Sequence, residues 1–364
     1  MRSFHSLQAL LVLGLTAGFV LPSPAKEAAA VAPASLPNVV ILATGGTIAG
    51  TGASSTSTVG YTAAKVGVDR LIEAVPELKK VANVKGEQVF QVASENMTTD
   101  LWLKLAKRVN QLLAQKDVDG IVITHGTDTL EETAYFLDLV VKSSKPVVLV
   151  GSMRPSTAIS ADGPINIYNA TILAGSKAAI GKGVLVAMND QINAGRDVTK
   201  TNTSTADTFR TPDLGFLGYM QDNKAEFYRM PVRKHTVDTE FDITNLDTLP
   251  RVDIVYGYAS ASRVAVDAFV AAGAKGIIHA GVGDGSVHKD VMPGLIDARK
   301  KGVFIVRSAR VGSGIIARNG ESDDDALDFI VSDTLNPQKA RILLMLGLTR
   351  ASSTKELQRM FTTY

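Results

Sequence analysis

Two glycine-rich loops contain the hydroxyl side chains best suited to chemistry. The first, residues 43–50, reads Ala-Thr-Gly-Gly-Thr-Ile-Ala-Gly, and the second, residues 124–129, reads Thr-His-Gly-Thr-Asp-Thr. Thr47 closes the Gly-Gly-Thr of the first loop, and Thr127 stands beside Asp128 in the second. A threonine hydroxyl becomes a nucleophile only when a base takes its proton. Together the loops indicate a hydroxyl nucleophile beside a second hydroxyl and a carboxylate. Helix capping is the alternative for each loop taken alone.

Activation of such a hydroxyl needs a further group, because Asp128 alone is a weak base. Tyr61 and Lys200 are the two candidates, and spacing alone does not choose between them. Thr129 and Glu132 resemble a capping box, which predicts a helix that begins near Thr129. The end of the second loop would then lie at a helix N-terminus, where free N–H groups and the helix dipole can stabilise an oxyanion.

Short apolar, mostly β-branched runs precede these loops and recur along the chain. They predict strands at residues 39–43, 118–124, 146–150, 184–188, 252–256, 274–279 and 303–307. Residues 98–115 and 129–142 show helical spacing. Continuous apolar strands separated by helices predict two α/β domains with mainly parallel sheets. Ligands of such sheets bind at the carboxyl ends of strands, where both threonine loops lie.

The chain divides by composition into five predicted segments. Residues 1–25 resemble a signal peptide, with Arg2 before an apolar run and small residues at 23–25. That run has about 15 residues, whereas a membrane anchor, the alternative, needs roughly 20. We therefore expect a periplasmic mature chain without a membrane partner. After it we expect a disordered leader at 26–37, an N-terminal α/β domain at 38–228, a linker at 229–250 and a smaller C-terminal α/β domain at 251–364.

The overall composition argues against several other functions. The 364 residues include no cysteine, which excludes disulfides and thiolate chemistry. The net charge of +2 comes without a long basic run, so a nucleic-acid partner is not expected. The five histidines form no close pair on a predicted helix, and Asp323-Asp324-Asp325 is typical of an acidic first helical turn. No metal is expected.

The loops and their strands resemble the two signature segments of the bacterial L-asparaginase family. The resemblance is to its exported type II branch and to the Pseudomonas-type glutaminase-asparaginases. It rests on residues 41–49 and 120–129 and continues through 151–155, 195–198 and 335–341, so that it covers about residues 38–364. It implies the asparaginase/glutaminase fold. It also implies hydrolysis of the side-chain amides of L-asparagine and L-glutamine to the acid and ammonia, through a threonine acyl-enzyme and without a cofactor.

The resemblance further implies a role for each matching catalytic residue. Thr47 corresponds to the nucleophile, and Tyr61 to the residue that polarises it once the loop closes over the substrate. Thr127, Asp128 and Lys200 correspond to a second group that orients and activates the attacking species. The order in which the two threonines act stays open, with Thr47 favoured as the first.

Substrate recognition is implied for a second set of residues. Ser94 and Glu95 correspond to residues that bind the α-carboxylate and α-amino ends, with Asp128 also reaching the amino group. Glu321 matches an acidic residue from a neighbouring subunit, so a homotetramer with shared sites is expected. Glu95 and Ser286 stand where asparagine-selective members usually carry glutamine and asparagine. A shorter side chain at Ser286 leaves room for one methylene, which favours dual specificity; an asparagine-selective enzyme is the alternative.

Three weaker interpretations come from other features. Residues 352–355 have the Ser-x-x-Lys spacing of serine acyl transferases but lack the companion motifs, so they predict the start of the last helix. Residues 312–317 imitate a dinucleotide fingerprint, yet Asn319-Gly320 interrupts the helix that should follow. A non-catalytic exported amino-acid-binding protein would need the same substrate contacts, but neither two threonines nor a lysine.

Overall fold

An eight-stranded sheet organises the N-terminal part of the described chain, which comprises residues 35–57 and 62–364 of a computed structural model. The spatial order is β10-β9-β6-β5-β4-β3-β1-β2, and β7 pairs with β8 outside this sheet. Strands β1 to β5 are parallel, whereas the pairs β5–β6, β6–β9 and β9–β10 are antiparallel. The strands are β1 (Asn38–Gly45), β2 (Asn83–Val92), β3 (Gly120–Thr124), β4 (Val147–Val150), β5 (Val184–Met188), β6 (Gln191–Ala194), β7 (Thr199–Lys200), β8 (Phe209–Arg210), β9 (Gly218–Gln221) and β10 (Lys224–Phe227).

Helices cover both faces of this sheet. They are α1 (Val68–Glu73), α2 (Leu78–Val81), α3 (Thr99–Leu113), α4 (Leu130–Val140) and α5 (Gly163–Gly175). The strand residues alternate between two hydrophobic clusters, as the pleat requires. Ile121 and Ile123 pack with the buried faces of α3 and α4, whereas Val122 packs with those of α1, α2 and α5.

A four-stranded parallel sheet organises the C-terminal part, in the order β11-β12-β13-β14. Its strands are β11 (Val252–Tyr256), β12 (Gly276–Gly281), β13 (Phe304–Ala309) and β14 (Ile330–Val331). Its helices are α6 (Val264–Ala271), α7 (Met292–Lys300), α8 (Asp324–Leu327), α9 (Pro337–Gly347) and α10 (Thr354–Thr363). Helix α9 packs against α4, and one hydrophobic core joins the two parts. The second domain therefore reaches the helix that follows the second threonine loop.

This architecture confirms the predicted fold class of two α/β domains with mainly parallel sheets. The strands predicted at 184–188 and 252–256 match β5 and β11 at both ends. β2 and the antiparallel strands β6, β9 and β10 were not predicted. The predicted linker, 229–250, contains no strand or α-helix among the described residues, yet Phe241 and Ile243 are buried in the core. It is packed chain rather than a free tether.

Two predicted helix starts are confirmed in the C-terminal domain. Helix α8 begins within the acidic run, and the Asp323 side chain accepts the N–H of Ala326 at 3.0 Å. Helix α10 begins after Ser353, whose hydroxyl accepts the N–H of Glu356 at 3.3 Å. The acidic run and the Ser-x-x-Lys segment are thus capped helix termini.

Several predictions fall outside the described residues. They are the signal peptide at 1–25, the leader up to residue 34, and Tyr61. Among residues 35–57 and 62–364, no helix has the length and apolar character needed to cross a bilayer.

Candidate active site

The two threonine loops meet because their strands are neighbours. β1 and β3 pair in parallel, and Thr124, the last residue of β3, lies opposite Ala43, two residues before the end of β1. The carboxyl ends of parallel strands share one edge of the sheet, so both loops leave the sheet side by side. The Thr44 hydroxyl donates to the Thr124 carbonyl oxygen at 2.8 Å and ties the loop starts together.

Glycine makes the contact between the loops possible. Gly46 has φ +84°, and a Cβ there would lie 2.2 Å from the nitrogen of Gly126. Only glycine tolerates this conformation and this approach of two backbones. A Cβ on Gly126 would in turn lie 2.6 Å from the Ser94 hydroxyl oxygen. The loop after β2 therefore reaches the same point.

Thr47 and Thr127, the two predicted threonines, are both buried where the two loops meet. Thr47 begins a short 3-10 turn, Thr47–Ala49, and is 6% exposed. Thr127 is 4% exposed and follows Gly126 directly. The structure thus brings the two hydroxyl-bearing loops together, as the sequence predicted. Tyr61, predicted to polarise Thr47, lies outside the described residues.

Lys200 completes a polar group on the second loop. Its ammonium nitrogen donates to the Thr127 hydroxyl oxygen at 2.9 Å and to the Asp128 carboxylate at 2.6 Å. Lys200 lies on β7, more than seventy residues after Thr127 and Asp128 in the chain. Only the family resemblance therefore predicted that it joins this group. An open surface pocket of about 500 Å³, lined by Asp128 and residues 200–203, adjoins the group.

Ser94 also belongs to the site, and its contacts overturn one prediction. Its hydroxyl accepts the N–H of Asp128 at 3.1 Å, and its carbonyl oxygen accepts the Thr129 hydroxyl at 2.8 Å. Thr129 stands at the N-cap of α4, but its side chain makes no capping hydrogen bond. Helix α4 begins at Leu130, as predicted. The predicted capping box with Glu132 is wrong, because the Thr129 hydroxyl donates to the Ser94 carbonyl oxygen instead. Glu95, the next residue, is exposed beside this junction.

A chain of buried hydrogen bonds connects α3 and α4 to the second threonine loop. The Trp102 indole N–H donates to the Thr133 hydroxyl oxygen at 2.8 Å, and this oxygen lies 2.9 Å from His125 Nε2. The Gly126 carbonyl oxygen beside Nδ1 can only accept, so Nδ1 carries the proton of the neutral ring and Nε2 accepts the Thr133 hydroxyl. His125 Nδ1–H then donates to the Gly126 carbonyl oxygen at 2.7 Å. Burial lowers the pKa of His125 to about 4, which keeps the ring neutral.

Sequence reasoning missed Glu131, which lies in the first turn of α4. It is 4% exposed, and its carboxylate accepts the backbone N–H of Lys200 at 2.6 Å. The same carboxylate accepts the side-chain amides of Asn336 and Gln338 from the start of α9. A glutamate in a first helical turn is commonplace, so its position alone gave no indication of these contacts.

Ser286 and Glu321 lie in loops of the C-terminal domain. Ser286 closes a tight loop, with its N–H donating to the Val282 carbonyl oxygen at 2.8 Å. Glu321 is exposed in the turn before α8. The first residue of α8, Asp324, forms a fully buried ion pair with Arg307 at 2.6 Å, which fixes the start of this helix. Among the described residues, no hydrogen bond joins the side chain of Ser286 or Glu321 to the threonine loops. The single chain does not bring these two predicted residues to the site.

Two α/β domains, with paired hydroxyl loops at adjacent strand ends and a lysine–carboxylate group beside them, define an α/β amidohydrolase. The chain belongs to the asparaginase and glutaminase family. Residues 38–233 match the family model described as "Asparaginase, N-terminal", and residues 251–361 match the "Glutaminase/Asparaginase C-terminal domain". Together these matches span both sheets.

Individual relatives agree with this assignment. A glutaminase-asparaginase of Pseudomonas fluorescens biotype A is 56% identical, with 90% of this chain and 91% of the relative covered. L-asparaginase 2 of Bacillus subtilis strain 168 is 57% identical, over 90% and 87% of the two chains. The crystal structure of a probable cytoplasmic L-asparaginase from Campylobacter jejuni superposes with a TM-score of 0.88 at 49% identity, and covers 90% of this chain and 100% of that one.

Proposed function

We propose that this chain hydrolyses the side-chain amides of both L-asparagine and L-glutamine, releasing L-aspartate or L-glutamate and ammonia. The observation that carries the proposal is the junction of the Thr47 loop with the Thr127–Asp128–Lys200 group, made through the contact of Gly46 with Gly126. An amino-acid-binding protein would have no need of a lysine amine 2.9 Å from a buried threonine hydroxyl.

In this proposal the charged ends of the substrate orient its amide. The Ser94 hydroxyl donates to the α-carboxylate, while Asp128 and Glu95 hold the α-ammonium group. Charge-assisted hydrogen bonds of this kind fix position as well as binding energy. The Asp128 N–H already donates to the Ser94 oxygen, which leaves the Ser94 proton free to point toward a ligand. Orientation of the amide at the hydroxyl then lowers the entropic barrier to attack.

The proposed reaction proceeds by acyl transfer in two steps. The Thr47 oxygen, polarised by the Tyr61 hydroxyl, attacks the amide carbon while its proton passes to the amide nitrogen. Backbone N–H groups near Thr127 hold the oxyanion, and the C–N bond breaks. The nitrogen departs as ammonia. Water, oriented by Thr127 and Lys200, then adds to the ester carbon, and breakage of the C–O bond returns the proton to Thr47. General acid–base assistance of this type contributes typically about 10²–10⁴-fold.

Dual specificity is the part of the proposal that rests on single residues. Glu95 and Ser286 support it, because a smaller side chain at 286 accommodates one more methylene. Overall identity does not decide the matter, since relatives named glutaminase-asparaginase and L-asparaginase 2 are 56% and 57% identical to this chain. Selectivity for asparagine is the second candidate function, and that near-equal identity is what supports it.

We further propose that the mature enzyme is periplasmic and acts as a homotetramer. The apolar N-terminal segment supports export, and a 52% identical relative from Haemophilus influenzae is named a probable periplasmic L-asparaginase. Because Glu321 is exposed and makes no hydrogen bond to the threonine loops in the described chain, it is available to a neighbouring subunit. Cell fractionation and sedimentation of the purified chain test these two points.

The decisive experiment follows ammonia release from each substrate by the purified chain. We expect turnover of both, and a loss of at least about 10³-fold in Thr47→Ala. Thr171→Val, which removes a buried threonine hydroxyl that donates to the Ile167 carbonyl oxygen within α5, is the matched control and should stay active. Release of ammonia by Thr47→Ala at the wild-type rate would refute the nucleophile assignment.

Specificity is tested in the same assay. We expect Glu95→Gln with Ser286→Asn to lower the ratio of glutamine to asparagine kcat/KM by about tenfold or more, since one methylene is worth about 10–200-fold. Wild-type turnover of asparagine alone would instead establish the asparagine-selective alternative.

A further inference from the structure

Lys200 lies on β7, a strand that is not part of the eight-stranded sheet. β7 consists of Thr199 and Lys200 and pairs only with β8, in a separate two-stranded sheet among the described residues. An isolated two-stranded ribbon is marginally stable at best. Other contacts must therefore fix the backbone that carries the Lys200 amine.

A buried lysine of the C-terminal domain holds the segment just before β7. The Lys339 ammonium donates to the carbonyl oxygens of Gly195 at 3.1 Å and Arg196 at 2.6 Å, and also to that of Val198. Lys339 is 2% exposed, and these three acceptors use all three of its protons. The chain is thus fixed up to two residues before Lys200.

Glu131 holds Lys200 itself. One carboxylate oxygen accepts the Lys200 N–H at 2.6 Å, and the other accepts Gln338 Nε2 at 2.5 Å and Asn336 Nδ2 at 3.2 Å. All three partners are donors, so a side chain that only accepts is required. Asn336 cannot reverse its amide, because its oxygen already accepts the N–H of Lys339 as the cap of α9.

We propose that Glu131 is a positioning residue that links the first turn of α9, in the C-terminal domain, to the hydrogen bond between Lys200 and Thr127. Both carboxylate oxygens bind groups outside α4, whereas a carboxylate that merely complements a helix dipole would lie near the N–H groups of its own first turn. The inference rests on the proposed function, because it presumes that Lys200 serves the reaction. It gives the C-terminal domain a role within its own subunit, separate from the role proposed for Glu321.

Four full-length proteins test this link: the wild type, Glu131→Gln, Gln338→Glu and the double variant. In Glu131→Gln one oxygen becomes an NH₂ group, which must face either the Lys200 N–H or the amide donors of α9. In the double variant the carboxylate moves to position 338, where it accepts the new NH₂ group. Glu132→Gln is the matched control, because it removes a carboxyl from the same turn that makes no hydrogen bond to Lys200 among the described residues.

We expect Glu131→Gln to lower kcat for L-asparagine by about 10²-fold, the typical effect of a misplacement near 1 Å. KM should change by less than about threefold, because Ser94 and Asp128 remain and uniform binding is retained. The double variant should recover at least about tenfold in kcat, and Glu132→Gln should stay within about threefold of the wild type. A residue that only stabilises the fold would leave kcat per folded site unchanged.

The outcomes separate the two proposals. An active wild type with Glu131→Gln at equal kcat, or with an equal loss in Glu132→Gln, would overturn the positioning role alone. Failure of the double variant to recover, with circular dichroism and subunit assembly like the wild type, would overturn it as well. A wild type that releases no ammonia from either amino acid would overturn the proposed function, and this inference with it.

Discussion

The two threonine loops occupy equivalent places at the ends of β1 and β3, yet different forces hold them. The Thr47 loop is fixed by backbone: Gly46 lies against Gly126, and its N–H donates to the Val92 carbonyl oxygen at 3.1 Å. The Thr127 loop is fixed by side chains that reach it from β7, α3 and α4. The first loop requires that no side chain be present at Gly46, whereas the second requires that its buried polar groups keep their hydrogen-bond partners.

This difference determines how substitutions in each loop should affect the enzyme. The backbone contact between Gly46 and Gly126 leaves no room for an added methyl group, because a close-packed interior relieves such an overlap only when the contacting segments move apart. A side-chain network loses its members one at a time, and each loss leaves a buried group unpaired. Damage to the first loop should therefore be abrupt, and damage to the second should be graded and sensitive to pH.

The largest effect is expected from Gly46→Ala. The new Cβ would lie 2.2 Å from the Gly126 nitrogen at φ +84°, so the two loops must separate. We expect kcat to fall by about 10³-fold or more, since misplacement by 1 Å already costs about 10²-fold. Ammonia release measures the loss, and circular dichroism establishes that the variant is folded.

Gly181→Ala is the control for this substitution. Gly181 has a similar φ of +72°, but a Cβ there would meet nothing within 4 Å. We expect a loss of about 1–2 kcal/mol in the free energy of unfolding from the left-handed conformation, with full activity. Equal loss of activity in both variants would show that backbone strain, and not contact between the loops, explains Gly46.

A smaller effect is expected from Lys200→Met on the second loop. It removes the donor to the Thr127 hydroxyl and to the Asp128 carboxylate, and we expect kcat to fall by about 10²–10³-fold. The free energy of unfolding should fall by about 1–3 kcal/mol, because the buried Thr127 hydroxyl loses its donor. The ion pair itself contributes little, since Asp128 is 57% exposed. Lys145→Met, at a surface lysine bound to the Gln115 carbonyl, should retain activity. Retained activity in Lys200→Met would remove Lys200 from the catalytic group.

The sequence predicted the first of these loops more completely than the second. Apolar runs separated by helical spacing identify β1, β3 and their parallel arrangement, and strand ends identify the loops. Gly45-Gly46 before Thr47 indicates a backbone conformation closed to other residues. These are local patterns, so one sequence suffices to read them.

The supports of the second loop are not local and could not be predicted in this way. Glu131 contacts Lys200 across 69 positions and Gln338 across 207. Nothing in residue type distinguishes it from Glu132, whose pKa burial raises to about 7. The failed capping box has the same origin, because the Thr129 hydroxyl found a distant partner in the Ser94 carbonyl oxygen.

The smallest expected effect concerns His125 and acidic pH. Burial lowers the pKa of His125 from 6.5 to about 4 in the folded chain, so the unfolded chain binds the proton more readily. The stability held by the neutral ring is present above pH 6.5 and is lost as pH falls toward 4. Between pH 7.5 and pH 5 this amounts to about 2 kcal/mol. His125→Gln should remove that part of the slope in chemical unfolding.

Two comparisons make this pH dependence specific to His125. The raised pKa values of Asp138 and Glu132, both about 7, act in the opposite direction, since their contribution falls as pH rises, but they are common to every variant. Thr133→Val breaks the hydrogen bonds to Trp102 and His125 while the ring remains. It should lower stability by about 1–3 kcal/mol at both pH values, with the slope kept. An unchanged slope in His125→Gln would mean that the second loop does not sense pH through this ring.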